Sequence, residues 1–341
     1  MELPMHKKRI VALRRLKESH LQRLREHFEV DYFEEPERQP EAVAAALREA
    51  HGLIGGKLQV TTEVLDQAPA LEAIATISVG YDNLPVAELS RRGIVLTNTP
   101  DVLTETTADT GFMLIMASAR RMVELANMVR EGRWTQHVGE PHFGHDVHGK
   151  TLGLVGLGRI GQAIARRALG FNMRLLYSNA SPKPELEAQW GIQRRTFEQL
   201  LAESDFVCLT VPLTEQTEHL LGYEQCRAMK RSAFVINIAR GRVVDEAGLI
   251  RALDEGLIAG AGLDVFEREP LQASPLLRMD NVVTLPHIGS ATHETREAMA
   301  ACAVENICQA LHSERPRDLV NPQARPSGFG QTQQERPVDA Q

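Results

Sequence analysis

The stretch Thr151-Leu-Gly-Leu-Val-Gly-Leu-Gly-Arg-Ile-Gly161 decides how this chain is read. A short apolar run feeds directly into glycines spaced GxGxxG, and a helix-like stretch follows from Gly161 to Leu169. In that context each glycine has its own task. Gly156 permits the tight turn, Gly158 lets the backbone approach a pyrophosphate, and Gly161 allows close packing of helix on strand. The helix N-terminus, with its unpaired amides, then faces phosphate charge. A bare GxGxxG arises by chance, so the flanking strand and helix are what favour dinucleotide binding over a merely structural turn. The expected cofactor contacts here are Gly156, Leu157, Gly158, Arg159, Ile160 and Gly161.

On the C-terminal side, β-branched runs at 173–177, 205–211, 233–238, 260–266 and 281–285 alternate with helical stretches such as 196–202 and 246–255. Strands separated by helices imply a parallel sheet covered on both faces. On the N-terminal side a weaker series of the same kind runs from Arg9 to Leu96, and suggests a smaller α/β domain of flavodoxin-like winding. Pro100 precedes a long helical pattern from about Thr104 to Arg130, and a further helix, about 291–311, has no sheet strand after it. The expected fold class is therefore α/β, with a Rossmann-type doubly wound domain (101–289) inserted in a smaller domain (1–100 plus 290–322). The Pro-, Gly- and Gln-rich end, 323–341, reads as a flexible tail.

NAD binders place an acid after the second cofactor strand, to hold the ribose hydroxyls. Here the run 173–177 leads into Ser178, Asn179, Ala180, Ser181, Pro182 and Lys183, with no carboxylate. Ser178, Asn179 and Ser181 are able to hydrogen-bond a 2′-phosphate, with Lys183 as counter-charge. NADP(H) is the favoured cofactor and NAD(H) the alternative, because the arginine that usually meets such a phosphate is missing from this stretch.

Ligands of doubly wound sheets bind beyond the carboxyl ends of the strands. Three later strands end in Arg240, in the pair Glu267 and Glu269, and in His287. A cation, a carboxylate and an imidazole at one edge suit carbonyl reduction. Hydride arriving at carbon leaves charge on oxygen, which a protonated His287 neutralises. A carboxylate on the ring orients it, and Arg240 holds a substrate carboxylate. The residues alone leave Glu267 and Glu269 equally eligible. Singly, each of these side chains is as readily a surface charge or a structural histidine; together, in a dinucleotide fold, they point to hydride chemistry.

The segments Gly156–Gly161, Asn237-Ile-Ala-Arg-Gly-Arg-Val-Val-Asp245, Gly262-Leu-Asp-Val-Phe-Glu-Arg-Glu-Pro270 and Pro286-His-Ile-Gly-Ser-Ala-Thr292 resemble the D-isomer-specific 2-hydroxyacid dehydrogenases, a likeness that runs from about Arg9 to Pro322. Thr76-Ile-Ser-Val-Gly-Tyr-Asp-Asn83, Asp101-Val-Leu-Thr-Glu-Thr106 and His287–Arg296 look most like the bacterial reductases of glyoxylate, hydroxypyruvate and 2-ketogluconate in that family. The resemblance implies that Arg240, Glu269 and His287 carry catalysis, which selects Glu269 over Glu267. It also implies that the amides of Val79 and Gly80 bind the substrate carboxylate, that Asp264 lies near the nicotinamide and Thr107 near the cofactor phosphates, that the protein is a homodimer, and that its domains close over substrate. Where such reductases often have a tryptophan before the glycine motif, this chain has Pro141-His142-Phe143. Two other readings stay open: a dehydrogenase of another 2-hydroxy acid, and a non-catalytic dinucleotide sensor that binds a partner protein.

Composition limits the alternatives. A chain of 341 residues with 43% hydrophobic and 24% charged residues is an ordinary globular protein of about two domains. A net charge of −7 argues against a nucleic-acid partner. The basic N-terminus lacks a following apolar segment, and the run 111–119 is too short to cross a bilayer, so no membrane association and a cytoplasmic address are expected. Four scattered cysteines suggest neither a disulfide framework nor a metal site.

Overall fold

The computed structural model describes residues 7–324, so most of the tail predicted over 323–341 lies outside the described residues. The chain divides into two compact units, one formed by described residues 7–103 and 291–324, the other by 104–290. No helix among the described residues is long and apolar enough to cross a membrane.

The first unit holds β1 (Arg9–Leu13), β2 (Glu29–Phe33), β3 (Gly52–Gly55), β4 (Ala73–Thr76) and β5 (Val95–Thr97), all parallel and ordered β2-β1-β3-β4-β5. This is the flavodoxin-like order. Strands β3 and β4 are buried at every position, as expected for a sheet covered on both faces. One cover is the helix His293–Leu311, whose Leu311 packs on β3; a Cβ on Gly52 would lie 2.9 Å from Leu311 Cδ1. The edge strand β5 is sealed by the chain beyond that helix. Val320 N donates to Leu96 O at 2.8 Å, and the fully buried Asn321 accepts from Leu96 N (2.7 Å) and donates to Ile94 O (2.9 Å).

The second unit holds β6 (Thr151–Val155), β7 (Arg174–Ser178), β8 (Gln193–Arg194), β9 (Phe206–Leu209), β10 (Phe234–Asn237), β11 (Gly260–Leu263) and β12 (Val282–Thr284), in the order β12-β11-β10-β9-β6-β7-β8. Every pair is parallel. The order reverses between β6 and β9, which is the switch point where a doubly wound sheet takes its ligand. Strand β6 is buried along its whole length, and Gly153 within it meets Ser204 and Leu200 so closely that any Cβ would collide.

One expectation is corrected. The pattern from Thr104 to Arg130 is two helices, Thr104–Ala119 and Met122–Arg130, separated at Arg121, whose φ is +51°. The carbonyl of Ala119, which a continuous helix would offer to residue 123, accepts His145 N at 2.7 Å instead. Gly144 lies so close against that carbonyl that a Cβ would stand 2.4 Å from it. Composition cannot show this, because the competing donor comes from a distant loop.

Replacing Asn321 by alanine strips Leu96 N and Ile94 O of their partners in a buried setting. At about 1–3 kcal/mol for each orphaned group, the expected loss is about 2–6 kcal/mol, read as a lower urea midpoint with an unchanged slope.

Candidate active site

In the second unit Gly156 adopts φ +94°, a conformation that side-chain-bearing residues rarely take. Its N–H donates to Ser178 O (2.9 Å) and its carbonyl accepts from Thr210 Oγ1 (2.7 Å), so β7 and the loop after β9 both brace the turn. A Cβ on Gly161 would stand 2.6 Å from Gly156 O. That approach starts the helix Arg159–Leu169 directly over the turn. Gly158 is its N-cap and supplies no side-chain acceptor, so the first-turn amides stay available. Uncapped amides over a glycine turn at the switch point fit the pyrophosphate of a dinucleotide. Leu157 is buried beneath the turn, Ile160 half-buried and Arg159 exposed.

Beyond β7, Ser178 is half-buried and Ser181 exposed. The side chain of Asn179 is engaged: Oδ1 accepts from Leu157 N (3.4 Å), and Nδ2 donates to Ser181 O (3.1 Å). Arg194, in the short edge strand β8, was missed by sequence reasoning. Its Nη2 donates to the carbonyls of Asn179 and Ala180, 3.1 Å from each, and brings to the loop the arginine that its own sequence lacks. The only signal is strand pairing, Tyr177 beside Arg194, which spacing along the chain does not reveal.

Asn237, Leu263 and Thr284 are register partners on β10, β11 and β12, so the residues that follow them emerge at one sheet edge. Asn237 shapes the first exit, accepting Ala239 N at Oδ1 (3.0 Å) and donating from Nδ2 to Arg240 O (2.9 Å). Arg240 donates from Nη1 to Ala239 O (2.8 Å). A Cβ on the next residue, Gly241, would fall 1.8 Å from the carbonyl carbon of Phe266. Two chain segments therefore cross in contact just past the strands.

The two glutamates at the second exit are separated by geometry. Glu267 Oε1 accepts from Glu246 N (3.1 Å) and lies 3.1 Å from His219 Nε2, so it serves the neighbouring helix and loop. Glu269 Oε1 accepts from Phe266 N (3.2 Å), while its Oε2 lies 2.7 Å from His287 Nδ1. The half-exposed His287 has φ +55°. Its turn is strapped by Asp264, which is 1% exposed and accepts Ile288 N at Oδ1 (2.7 Å) and Gly289 N at Oδ2 (2.8 Å). Burial raises the Asp264 carboxyl above the ordinary aspartate value, against the opposing pull of the two amides and of His287. Thr107 packs on the same turn: a Cβ on Gly289 would lie 3.3 Å from Thr107 Cγ2 and 3.2 Å from Asp264 Oδ2.

In the first unit Val79 and Gly80 follow β4. Ser78 O accepts Thr99 N (2.9 Å), Val79 O accepts Asn98 Nδ2 (2.8 Å), and Gly80 O accepts Ser78 Oγ (2.7 Å). Three successive carbonyls are tied down, while the Val79 and Gly80 amides donate to no acceptor among the described residues. Two adjacent free amides held by a rigid backbone make an anion cradle.

A family model described as the NAD binding domain of D-isomer specific 2-hydroxyacid dehydrogenase matches residues 112–289. The chain is 53% identical over 306 residues to a glyoxylate/hydroxypyruvate reductase B of Yersinia pestis (strain Pestoides F), covering 89% of this chain and 94% of that protein. Among solved structures it resembles a protein from Thermus thermophilus at 43% identity, with a TM-score of 0.82 and coverage of 92% and 99% of the two chains. It also resembles an NADPH-dependent glyoxylate/hydroxypyruvate reductase from Sinorhizobium meliloti, solved in complex with NADP and malonate, at 35% identity, a TM-score of 0.84 and coverage of 96% and 99%. The chain belongs to the D-isomer-specific 2-hydroxyacid dehydrogenases. It is an enzyme of the NAD(P)-dependent oxidoreductase class.

The glutamates provide a sharp comparison. Glu269→Gln removes the charge facing His287 and should lower kcat about a hundredfold, whereas Glu267→Gln, whose side chain meets Glu246 and His219, should change kcat less than about threefold. Steady-state kinetics on both purified variants checks this, with circular dichroism confirming that each is folded.

Proposed function

We propose that this enzyme reduces glyoxylate, hydroxypyruvate and 2-ketogluconate to the corresponding D-2-hydroxy acids, with NADPH favoured over NADH. The observation that carries the reading is the 2.7 Å contact between Glu269 Oε2 and His287 Nδ1, on the same sheet as the glycine turn. The names of the Yersinia and Sinorhizobium relatives support the substrate class.

When bound, the reduced nicotinamide supplies the hydride. His287, holding Nδ1–H toward Glu269, gives its Nε2 proton to the substrate oxygen as charge develops there. Glu269 keeps the ring oriented and balances the imidazolium charge. Arg240 pairs with the substrate carboxylate and polarises the carbonyl. The Val79 and Gly80 amides take a carboxylate, as the family resemblance implies, and Asp264 positions His287 through the amides of Ile288 and Gly289. In the oxidative direction His287 takes the proton. The proposal extends to a homodimer, for which light scattering of the purified protein is the test.

Arg194 strengthens the case for NADPH. With Ser178, Asn179 and Ser181 beside it and no acid in the loop, it offers the 2′-phosphate a cation from β8. Arg194→Leu should raise the KM for NADPH about tenfold and leave that for NADH within about twofold, since losing a charged hydrogen bond costs about 1.5–3 kcal/mol. Fluorescence titration of each reduced nucleotide provides the binding counterpart. Equal or better use of NADH by the wild-type enzyme, compared by kcat/KM with glyoxylate, would overturn the cofactor preference.

A further inference from the structure

The first unit has a cavity of about 500 Å³ lined by Arg15, Leu16, Lys17, His20, Glu34, Arg296 and Glu297. It opens where β1 and β2 end, so it shares the carboxyl edge of a wholly parallel sheet with Val79 and Gly80. Its volume falls within the range of small-molecule sites.

The charges lining it are unevenly matched. Lys17 Nζ lies 2.7 Å from Glu297 Oε2 and His20 Nε2 lies 3.0 Å from Oε1, so Glu297 already has partners on both oxygens. Glu34 accepts the hydroxyl of Tyr32, and Arg14, at the cavity's edge in sequence, pairs with Glu37. Arg15 and Arg296 are different. Both are half-buried, and among the described residues neither has a carboxylate within ion-pair distance or a side-chain hydrogen bond. Burial, then the neighbouring charge of Arg296, then that of Arg14, bring the pKa of Arg15 down to about 10, and burial lowers that of Arg296 as well. Two guanidinium groups that repel each other while partly stripped of water cost free energy unless an anion joins them.

The backbone is arranged to hold Arg15 there. Arg14 and Arg15 adopt φ of +52° and +60°, two successive non-glycine residues in the left-handed region, which is a strained arrangement found most often at functional positions. The Arg15 side chain lies across Gly56 at the end of β3. A Cβ on Gly56 would stand 2.5 Å from Arg15 Cδ and 2.8 Å from Nε, so the glycine makes the berth.

We propose that Arg15 and Arg296 form an anion site, binding a carboxylate or phosphate group between their guanidinium forks. Two sources carry that chemistry: the carboxylate or phosphate of a longer 2-keto acid, or a free anion acting on the enzyme. The first source rests on the 2-keto acid reading; the site itself does not.

The test uses the full-length enzyme with inorganic phosphate as probe in isothermal calorimetry, beside kinetics with glyoxylate, which has no second anionic group, and 3-phosphohydroxypyruvate, which carries a phosphate. Arg15→Met and Arg296→Leu should each weaken phosphate binding at least fivefold, while Arg15→Lys, which keeps the charge, should lose less. If the anion belongs to substrate, phosphate competes with 3-phosphohydroxypyruvate, both variants raise its KM at least fivefold, and kcat/KM for glyoxylate stays within twofold. If the anion is free, phosphate binding falls in the variants and kinetics with the two substrates move together. Absence of phosphate binding by the wild-type enzyme, or unchanged binding in both Arg296→Leu and Arg15→Lys, overturns the site; those variants serve even if Arg15→Met does not fold. A wild-type enzyme that binds phosphate but reduces no 2-keto acid would count against the proposed function alone.

Discussion

Two hydrogen bonds to one buried carboxylate fix the reactive corner of this enzyme. Asp264 receives the amides of Ile288 and Gly289, immediately after a histidine whose own φ is positive. A non-glycine residue in that conformation costs about 1–3 kcal/mol. Hydrogen bonds to a charged acceptor are worth about 1.5–3 kcal/mol each, so the pair outweighs the strain and His287 stays put. Its Nδ1 then meets Glu269, which is itself anchored by Phe266 N. Ring orientation thus follows from backbone geometry one strand away. The proposed proton transfer needs an imidazole with one nitrogen engaged, and this chain of contacts engages Nδ1.

Much of this was legible in the sequence. The glycine spacing, with strand before and helix after, indicated the nucleotide turn, and the alternation of apolar runs with helical stretches indicated two parallel sheets, because burial on both faces leaves β-branched runs with little polar interruption. Arg240, Glu269 and His287 were visible as chemistry-bearing residues after three strands. The choice between Glu267 and Glu269 was not visible in composition, since both are acids two positions apart; resemblance chose one, and the structure shows why they differ in partners. Asn237, Thr210 and Asn98 act by bonding side chain to backbone across a fold, which leaves no periodic trace. Arg194 reaches its loop only through the pairing of β7 with β8, sixteen residues from Ser178 along the chain. The break at Arg121 depends on His145 claiming a carbonyl. Local pattern reports what a segment prefers, and each of these features was decided by a competitor from elsewhere.

The glycines gain meaning from the same view. Gly156 is required by its dihedral angle, Gly161 and Gly241 by the carbonyl and the crossing peptide that lie against them, and Gly56 leaves room for an arginine side chain. Sequence motifs single out the first two because they recur beside nucleotide turns and strand exits. Gly56 belongs to no such motif and is identified only by its neighbour.

The seal that Asn321 places on β5 has a consequence for how the protein comes into being. The strands of the first unit leave the ribosome early, yet their edge is finished by residues 320 and 321, made after the whole second unit. Residues 104–290 form an uninterrupted segment able to close its own sheet as soon as it has emerged. The older strands must wait, with an open edge, for the last part of the chain. Synthesis order and completion order are therefore reversed, and the half-built first unit is the stage of this protein's life most exposed to mispairing.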